Sequence, residues 1–300
     1  MQNIDYLGKL SKWIAHNEKR DFACYLRRLG ILPAILMQKM GLNKIVRVPV
    51  FYGDKMHVVT DEIVSRQLIA FGFSEPEIIA LMLTRLKEGD TFVDVGTHYG
   101  FEAMVGSKIV GKTGSVIAFE PNPSSFKIAQ LNLTGDNVSL NNLAVGDYEG
   151  VVNMNAYDIY SSAMNSVTSN SNFIDNPWVR SKEGKVIEVK LVTLDAFLND
   201  RIKPVNFIKC DVEGFEVNVI KGAANLIAKD KPLIVLESDF RSDGKTTERL
   251  QGLISLMKNF DYLPYDFDFK NGALTIDRIG TVIVGHPNVL FMPDTAGIKE

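Results

Sequence analysis

The segment Thr91-Phe-Val-Asp94-Val-Gly96-Thr97-His98-Tyr-Gly100-Phe101 places an acid near the end of an apolar run and follows it with a glycine turn and a second hydrophobic stretch. Only glycine lets the backbone approach a ligand closely at such a strand-to-helix turn, and the free N–H groups at the next helix start suit a polar cofactor. A G-x-x-x-G on its own says little. Its partner is Val116-Ile-Ala-Phe119-Glu120-Pro121-Asn122, another apolar run ending in a carboxylate, 26 positions after Asp94. An acid at that strand end can accept hydrogen bonds from two ribose hydroxyls, as in dinucleotide folds. The loop departs from G-x-G-x-x-G, whose second glycine lets a pyrophosphate pass. S-adenosyl-L-methionine has a ribose and no pyrophosphate, and is therefore preferred to a nicotinamide dinucleotide.

A third cluster, Phe207-Ile208-Lys209-Cys210-Asp211-Val-Glu213-Gly214-Phe-Glu216, again delivers carboxylates at the end of an apolar run, and Leu233-Ile-Val-Leu-Glu237 adds one more beside Asp239. In open α/β sheets ligands bind outside the carboxyl ends of the strands, so Asp94, Glu120 and Asp211 are expected to converge on one crevice. Asp211 is the first candidate to take a proton from an acceptor hydroxyl. The carboxylate can do so directly, or it can ligate a divalent cation together with Glu237 or Asp239. The direct route is preferred and no metal is assigned. Glu213 can orient substrate or act as a helix N-terminal charge, as can Glu216. Lys209, inside the strand, is expected to pair with a carboxylate.

These residues need a scaffold, and the pattern around them supplies one. From Thr91 onward, strand-like and helix-like runs alternate over 91–95, 101–109, 115–119, 124–133 and 138–145, which implies a parallel sheet with right-handed crossovers. Residues 146–192 break the rhythm. They read as an insertion or hairpin containing a strand at 186–191 and a serine- and asparagine-rich stretch at 161–172 that is a lid or a solvated loop. Alternation resumes at 205–210, 217–228 and 233–237, and strands around 273–276, 281–284 and 289–292 are expected to close the sheet antiparallel. Before the core, two helices are expected within 3–42 and a hairpin with strands at 47–52 and 56–60. This divides the chain into an N-terminal extension, 1–74, and a core domain, 75–300.

Three hundred residues at 46% hydrophobic and 23% charged suffice for one large α/β domain with such an extension. No apolar run reaches the roughly 18 residues of a membrane span, and no cleavable leader is recognised, so a cytoplasmic location is expected. Cys24 and Cys210 form neither a disulfide framework nor a zinc cluster and are read as free thiols. A net charge of -3 argues against a general nucleic-acid binder. The charge is nonetheless uneven: residues 1–47 hold nine Lys or Arg against Asp5, Glu18 and Asp21, a surplus of six. That surplus is a solvated helix face or a surface for a membrane leaflet or lipid-linked substrate.

The motifs together resemble the FkbM family of S-adenosylmethionine-dependent methyltransferases. The residues that carry the resemblance are Asp94 to Gly100, Phe119-Glu120-Pro121, Asn142-Leu143-Ala144-Val-Gly-Asp147, Val192-Thr-Leu194-Asp195, Ile208 to Glu216 and Asn288-Val-Leu-Phe291, spanning about residues 75–293. The first 45 residues match no pattern of the family. The resemblance implies a Rossmann-like class I methyltransferase fold: an α/β domain with a mainly parallel sheet, an antiparallel C-terminal hairpin and, here, an N-terminal helical extension. It implies O-methylation of a sugar, polysaccharide precursor or other small hydroxylated metabolite. By the same resemblance Asp94, Gly96, Thr97, His98 and Gly100 hold the methionine end of the cofactor and Glu120 its ribose, with Pro121 and Asn122 alongside. Asn142, Leu143 and Ala144 border the adenine. Asp211 lies between cofactor and acceptor, with Glu213 and His98 as further catalytic candidates. The competing readings are a catalytically silent cofactor-binding module and a nicotinamide-linked oxidoreductase. Oligomeric state is not legible from these residues.

Overall fold

The computed structural model describes residues 2–18, 44–60, 62–156, 166–167, 185–238, 248–279 and 288–294. The N-terminal part holds helix α1 (Gln2–Glu18), strands β1 (Ile45–Pro49) and β2 (Lys55–Val59), and helix α2 (Ile63–Phe71). Of the two helices expected within 3–42, the second lies outside the described residues. The hairpin forms as expected, antiparallel with Val48 opposite Met56, and Gly53 turns it at φ +102°. Helix α2 went unread in the sequence, although its caps are local. Glu62 accepts from the Val64 and Ser65 N–H groups, and Gly72 ends it at φ 70°.

Helix α3 (Pro76–Arg85) leads into β3 (Thr91–Val95), α4 (Phe101–Val110), β4 (Ser115–Phe119), α5 (Pro123–Asn132) and β5 (Val138–Asn141). After a second, smaller sheet come α6 (Leu194–Phe197), β10 (Phe207–Cys210), α7 (Glu216–Lys221), α8 (Ala224–Asp230), β11 (Leu233–Glu237), α9 (Glu248–Lys258) and strands β12 (Tyr262–Lys270), β13 (Ala273–Arg278) and β14 (Asn288–Pro293). Among the described residues the main sheet has eight strands, in the order β13-β12-β14-β11-β10-β3-β4-β5. From β11 to β5 all pairings are parallel, while β14, β12 and β13 are antiparallel to their neighbours. This is the expected class I methyltransferase architecture. Strands β3 and β10 are buried along their whole length, and their mainly apolar residues enclose the charged Asp94 and Lys209.

Three details differ from the sequence reading. The run 138–145 is two strands: β5 stays in the main sheet, whereas β6 (Ala144–Val145) pairs with β9 (Lys185–Val192) in a sheet ordered β6-β9-β7-β8, with β7 (Gly150–Ala156) and β8 (Ser166–Val167). The break falls where the Asn142 side chain donates to the Glu120 and Pro121 carbonyls, drawing the chain out of the β5 line. The run 217–228 is likewise two helices, parted at Gly222, where a Cβ would run into the Gly146 carbonyl. The C-terminal closure contains the extra strand β12, and the strand expected at 281–284 lies outside the described residues. Of the polar stretch 161–172, only β8 is described.

Hydrophobic side chains of β1, β2 and α2, among them Val48, Met56, Val58 and Leu68, join Ile78, Phe92, Phe101 and Phe207 in one buried cluster. The boundary drawn between residues 74 and 75 thus passes through a continuous core. Cys210 is a buried free thiol on the opposite side of the sheet.

Candidate active site

The carboxyl ends of β3, β4, β10 and β11 open onto a cavity of about 290 Å³. At Gly96 (φ +81°) a Cβ would collide with the Asp211 carbonyl, so glycine is what lets the β3 loop and the end of β10 come together. The loop is held by its own backbone: the Gly96 and Thr97 N–H groups both donate to the Phe119 carbonyl, at 3.0 and 2.9 Å. Thr97 Oγ1 donates to Asp94 Oδ2 at 2.6 Å. His98 then adopts φ 52° and points its N–H at Glu120 Oε2, 2.9 Å away, while its ring stacks on Tyr99. Glu120 Oε1 accepts from the Asn122 N–H at 2.9 Å. Burial pushes the Glu120 carboxyl up to about 8 against these two donors. Burial also lowers the His98 imidazole below its ordinary value, which favours the neutral ring.

Of the residues singled out in the sequence, Gly96, Thr97, His98, Glu120, Pro121, Leu143, Ala144, Asp211 and Glu213 line the cavity. Asp94, Gly100, Asn122 and Asn142 stand behind that lining and shape it. Asp94 is fully buried and anchors Thr97, Gly100 starts α4 at φ 88°, Asn122 caps α5 by accepting from the Ser124 N–H at 2.8 Å, and Asn142 ties the 120–121 carbonyls.

On the other side of the loop sits a buried charge cluster that sequence reasoning missed in part. Lys209 is 3% exposed, with its Nζ 3.3 Å from Asp211 Oδ2. Burial opposes its charge, but Asp211, Glu102, Asp94 and Glu75 hold it firmly protonated. Glu75, at φ 42°, accepts from Asn288 Nδ2 at 2.8 Å, and Glu102 is pushed up to about 8 by burial. Glu75 stands at the N-cap position of α3. No side-chain cap bond forms, and the carboxylate turns into the cavity instead.

Asp211, Glu213 and Glu237 bring carboxylate oxygens within 4.8 Å of one another. Burial alone would raise Asp211, yet Lys209 and a hydrogen bond from Glu237 hold it below its usual value. Glu237 is driven the other way, to about 11, by burial and by Asp211, and Glu213 to about 8 by the same two causes. The trio therefore presents one ionised carboxylate flanked by two acids that keep their protons near neutral pH. Its spacing can also hold a divalent cation. The Lys209 ammonium already supplies a positive charge there, which fits the direct route better. Asp239, the other ligand considered, lies outside the described residues. Glu216 is turned away from the cavity, paired with Arg249 and accepting from the Val212 and Gly214 N–H groups.

The donor set suits S-adenosyl-L-methionine: a carboxylate for a ribose diol at Glu120, apolar walls for a base at Phe119, Leu143 and Ala144, and an acidic surround for a cationic sulfonium and ammonium. The family model of the methyltransferase FkbM domain matches residues 94–264. The chain belongs to the FkbM methyltransferase family. A curated relative, the hexuronic acid methyltransferase AglP of Haloferax volcanii, is 27% identical over 205 residues, covering 66% of this chain and 76% of that protein. Among solved structures, the methyltransferase FkbM of Methylobacillus flagellatus aligns at 12% identity and TM-score 0.39, covering 77% of this chain and 55% of that one. Fibrillarin of Aeropyrum pernix, solved with bound S-adenosyl-L-methionine, aligns at 13% identity and TM-score 0.40, covering 69% and 67%. The FkbM match begins at Asp94, whereas Met56, Val64, Gln67, Leu68, Ser74 and Glu75 line the cavity from outside it.

Proposed function

We propose that this chain transfers the methyl group of S-adenosyl-L-methionine to a hydroxyl oxygen of a sugar, polysaccharide precursor or related small metabolite. The observation that carries the reading is the low-lying Asp211 carboxylate between Lys209 and Glu237, on the wall of the cavity that Glu120 and the glycine loop share. When bound, the cofactor supplies an electrophilic methyl group for in-line attack. The chain's task is to align an acceptor and remove its proton. Glu120 fixes the ribose and the Gly96–His98 turn the methionine end, Asp211 takes the hydroxyl proton, Lys209 keeps that carboxylate ionised beforehand, and Glu213 and Glu237 orient the acceptor. A silent binding module would have little use for a carboxylate tuned in this way. The relative that acts on a hexuronic acid supports a saccharide acceptor. The test is formation of S-adenosylhomocysteine with a panel of glycosides and hydroxylated metabolites, with the product's methyl carbon assigned by NMR. Methylation found only at nitrogen, or binding of cofactor without turnover on any such panel, would reject the reading.

A further inference from the structure

Glu75 reaches the cavity from outside the residues matched to the FkbM domain, and helix capping does not account for its shape. Its backbone sits in the left-handed region at φ 42° and ψ 61°, which a non-glycine residue adopts at a cost, and its side chain makes no cap bond. His98 and Glu213 also line the cavity at positive φ, so strained positions gather at this site. What holds Glu75 there is long-range. Its Oε1 accepts from Asn288 Nδ2 at 2.8 Å, and Asn288 stands in β14 opposite Glu237 of β11. The carboxylate has a second oxygen to offer, and Lys209 and Asp211 are close enough to act on its charge. Glu75 is half-buried whereas its neighbour Glu102 is 6% exposed, so Glu75 is the more accessible of the two to a ligand. The sheet order sets this carboxylate along the cofactor. With the base against Leu143 and Ala144, after β5, and the ribose on Glu120, after β4, the chain beyond the ribose runs over the Gly96–His98 turn toward β10. That end of the cofactor carries an ammonium, which a buried carboxylate accepts from.

We infer that Glu75 receives the α-ammonium group of the cofactor's methionine end. The inference rests on the ribose lying at Glu120. In the ligand-free protein burial favours the protonated acid at Glu75; its carbonyl oxygen still accepts from an ammonium, and that charge draws the group toward the carboxylate. Calorimetry on the full chain with four nucleosides separates the groups of that end. S-adenosylhomocysteine carries ammonium and carboxylate, its decarboxylated analogue only the ammonium, its deaminated analogue only the carboxylate, and 5′-methylthioadenosine neither. In the wild type the deaminated analogue should bind at least about tenfold more weakly than S-adenosylhomocysteine. Glu75→Gln keeps the shape and removes the charge. It should weaken S-adenosylhomocysteine and the decarboxylated analogue roughly tenfold and leave the other two within about twofold. Retained binding of 5′-methylthioadenosine shows that the variant is folded. Equal wild-type affinity with and without the amino group overturns the inference whatever the variant does, and so does a variant that weakens all four ligands alike or none of them. Those outcomes leave the cofactor site standing. Failure of the wild type to bind any of the four overturns the cofactor site itself, and the inference with it.

Discussion

Glu120 and Asp211 are both buried acids at strand ends, and their surroundings set them apart. Glu120 accepts two backbone N–H groups, from His98 in the loop after β3 and from Asn122 in its own, which fix the carboxylate at the cavity wall. Glu120→Ala removes a charge-assisted contact to a ribose diol that contributes on the order of 1.5–3 kcal/mol, so cofactor affinity by calorimetry should fall roughly tenfold or more. An unaltered affinity in a folded variant would place the ribose elsewhere. Asp211 is tuned for a different task, with an ammonium on one side and a protonated Glu237 on the other. Asp211→Asn preserves shape and should lower turnover by roughly 10²–10⁴ while leaving cofactor affinity within a few-fold. Activity of the wild type in EDTA decides between the two routes for this residue. Indifference fits the direct base, whereas a loss restored by magnesium would require Asp211, Glu213 and Glu237 to act as ligands.

At the scale of elements, the site depends on a join between the hairpin and the glycine loop. Asn132, at the end of α5, accepts from the His57 N–H at 2.7 Å and donates to the His57 and Tyr99 carbonyls at 2.9 and 2.8 Å. One amide thereby registers β2 against the turn that carries His98. Asn132→Ala leaves backbone groups unpaired in a buried joint and should cost roughly 2–3 kcal/mol in denaturant unfolding. Hydrogen exchange should rise at the His57 N–H, which loses its acceptor, and at the Gly96, Thr97 and Gly100 N–H groups of the turn whose Tyr99 carbonyl loses its donor; a rise at His57 alone would show that the two elements are not coupled through this side chain. Such a join is invisible in sequence, since its partners are separated by 75 and 33 positions. What was legible were β3, β4, β10 and β11, because strands buried on both faces read as continuous apolar runs ending in acids. Strand β12 alternates buried and half-buried residues, but Pro264, Asp266 and Asp268 broke its apolar pattern and hid it. Glu75 and Glu102 were missed because helix-start chemistry explains an acid at either place, and only the sheet brings them to Lys209.

Over the whole sequence, positive charge is concentrated near the N-terminus, and we propose that the surplus of six in residues 1–47 meets an anionic surface or a lipid-linked acceptor. Co-sedimentation with anionic liposomes at low salt, lost at high salt and absent with neutral lipid, is the expected result. Equal recovery with both lipids would assign those side chains to solvation alone. The buried region is acidic and makes the ligand-free protein sensitive to pH. Glu102, Glu120 and Glu213 are each raised to about 8, so each favours the folded state while protonated. That contribution is complete below the unfolded carboxyl value of about 4.3 and is lost as pH rises through about 8. Asp211, held low, acts in the opposite sense, but its change falls at more acidic pH, outside this window. The thermal midpoint of the ligand-free protein should therefore fall between about pH 5 and about pH 9. Glu102→Gln mimics the protonated form at a residue 6% exposed and should make the decline shallower. Scanning fluorimetry of both proteins across the window is the measurement. A wild-type midpoint that is flat or rising there would mean that the buried carboxyls ionise in the folded state as easily as in water.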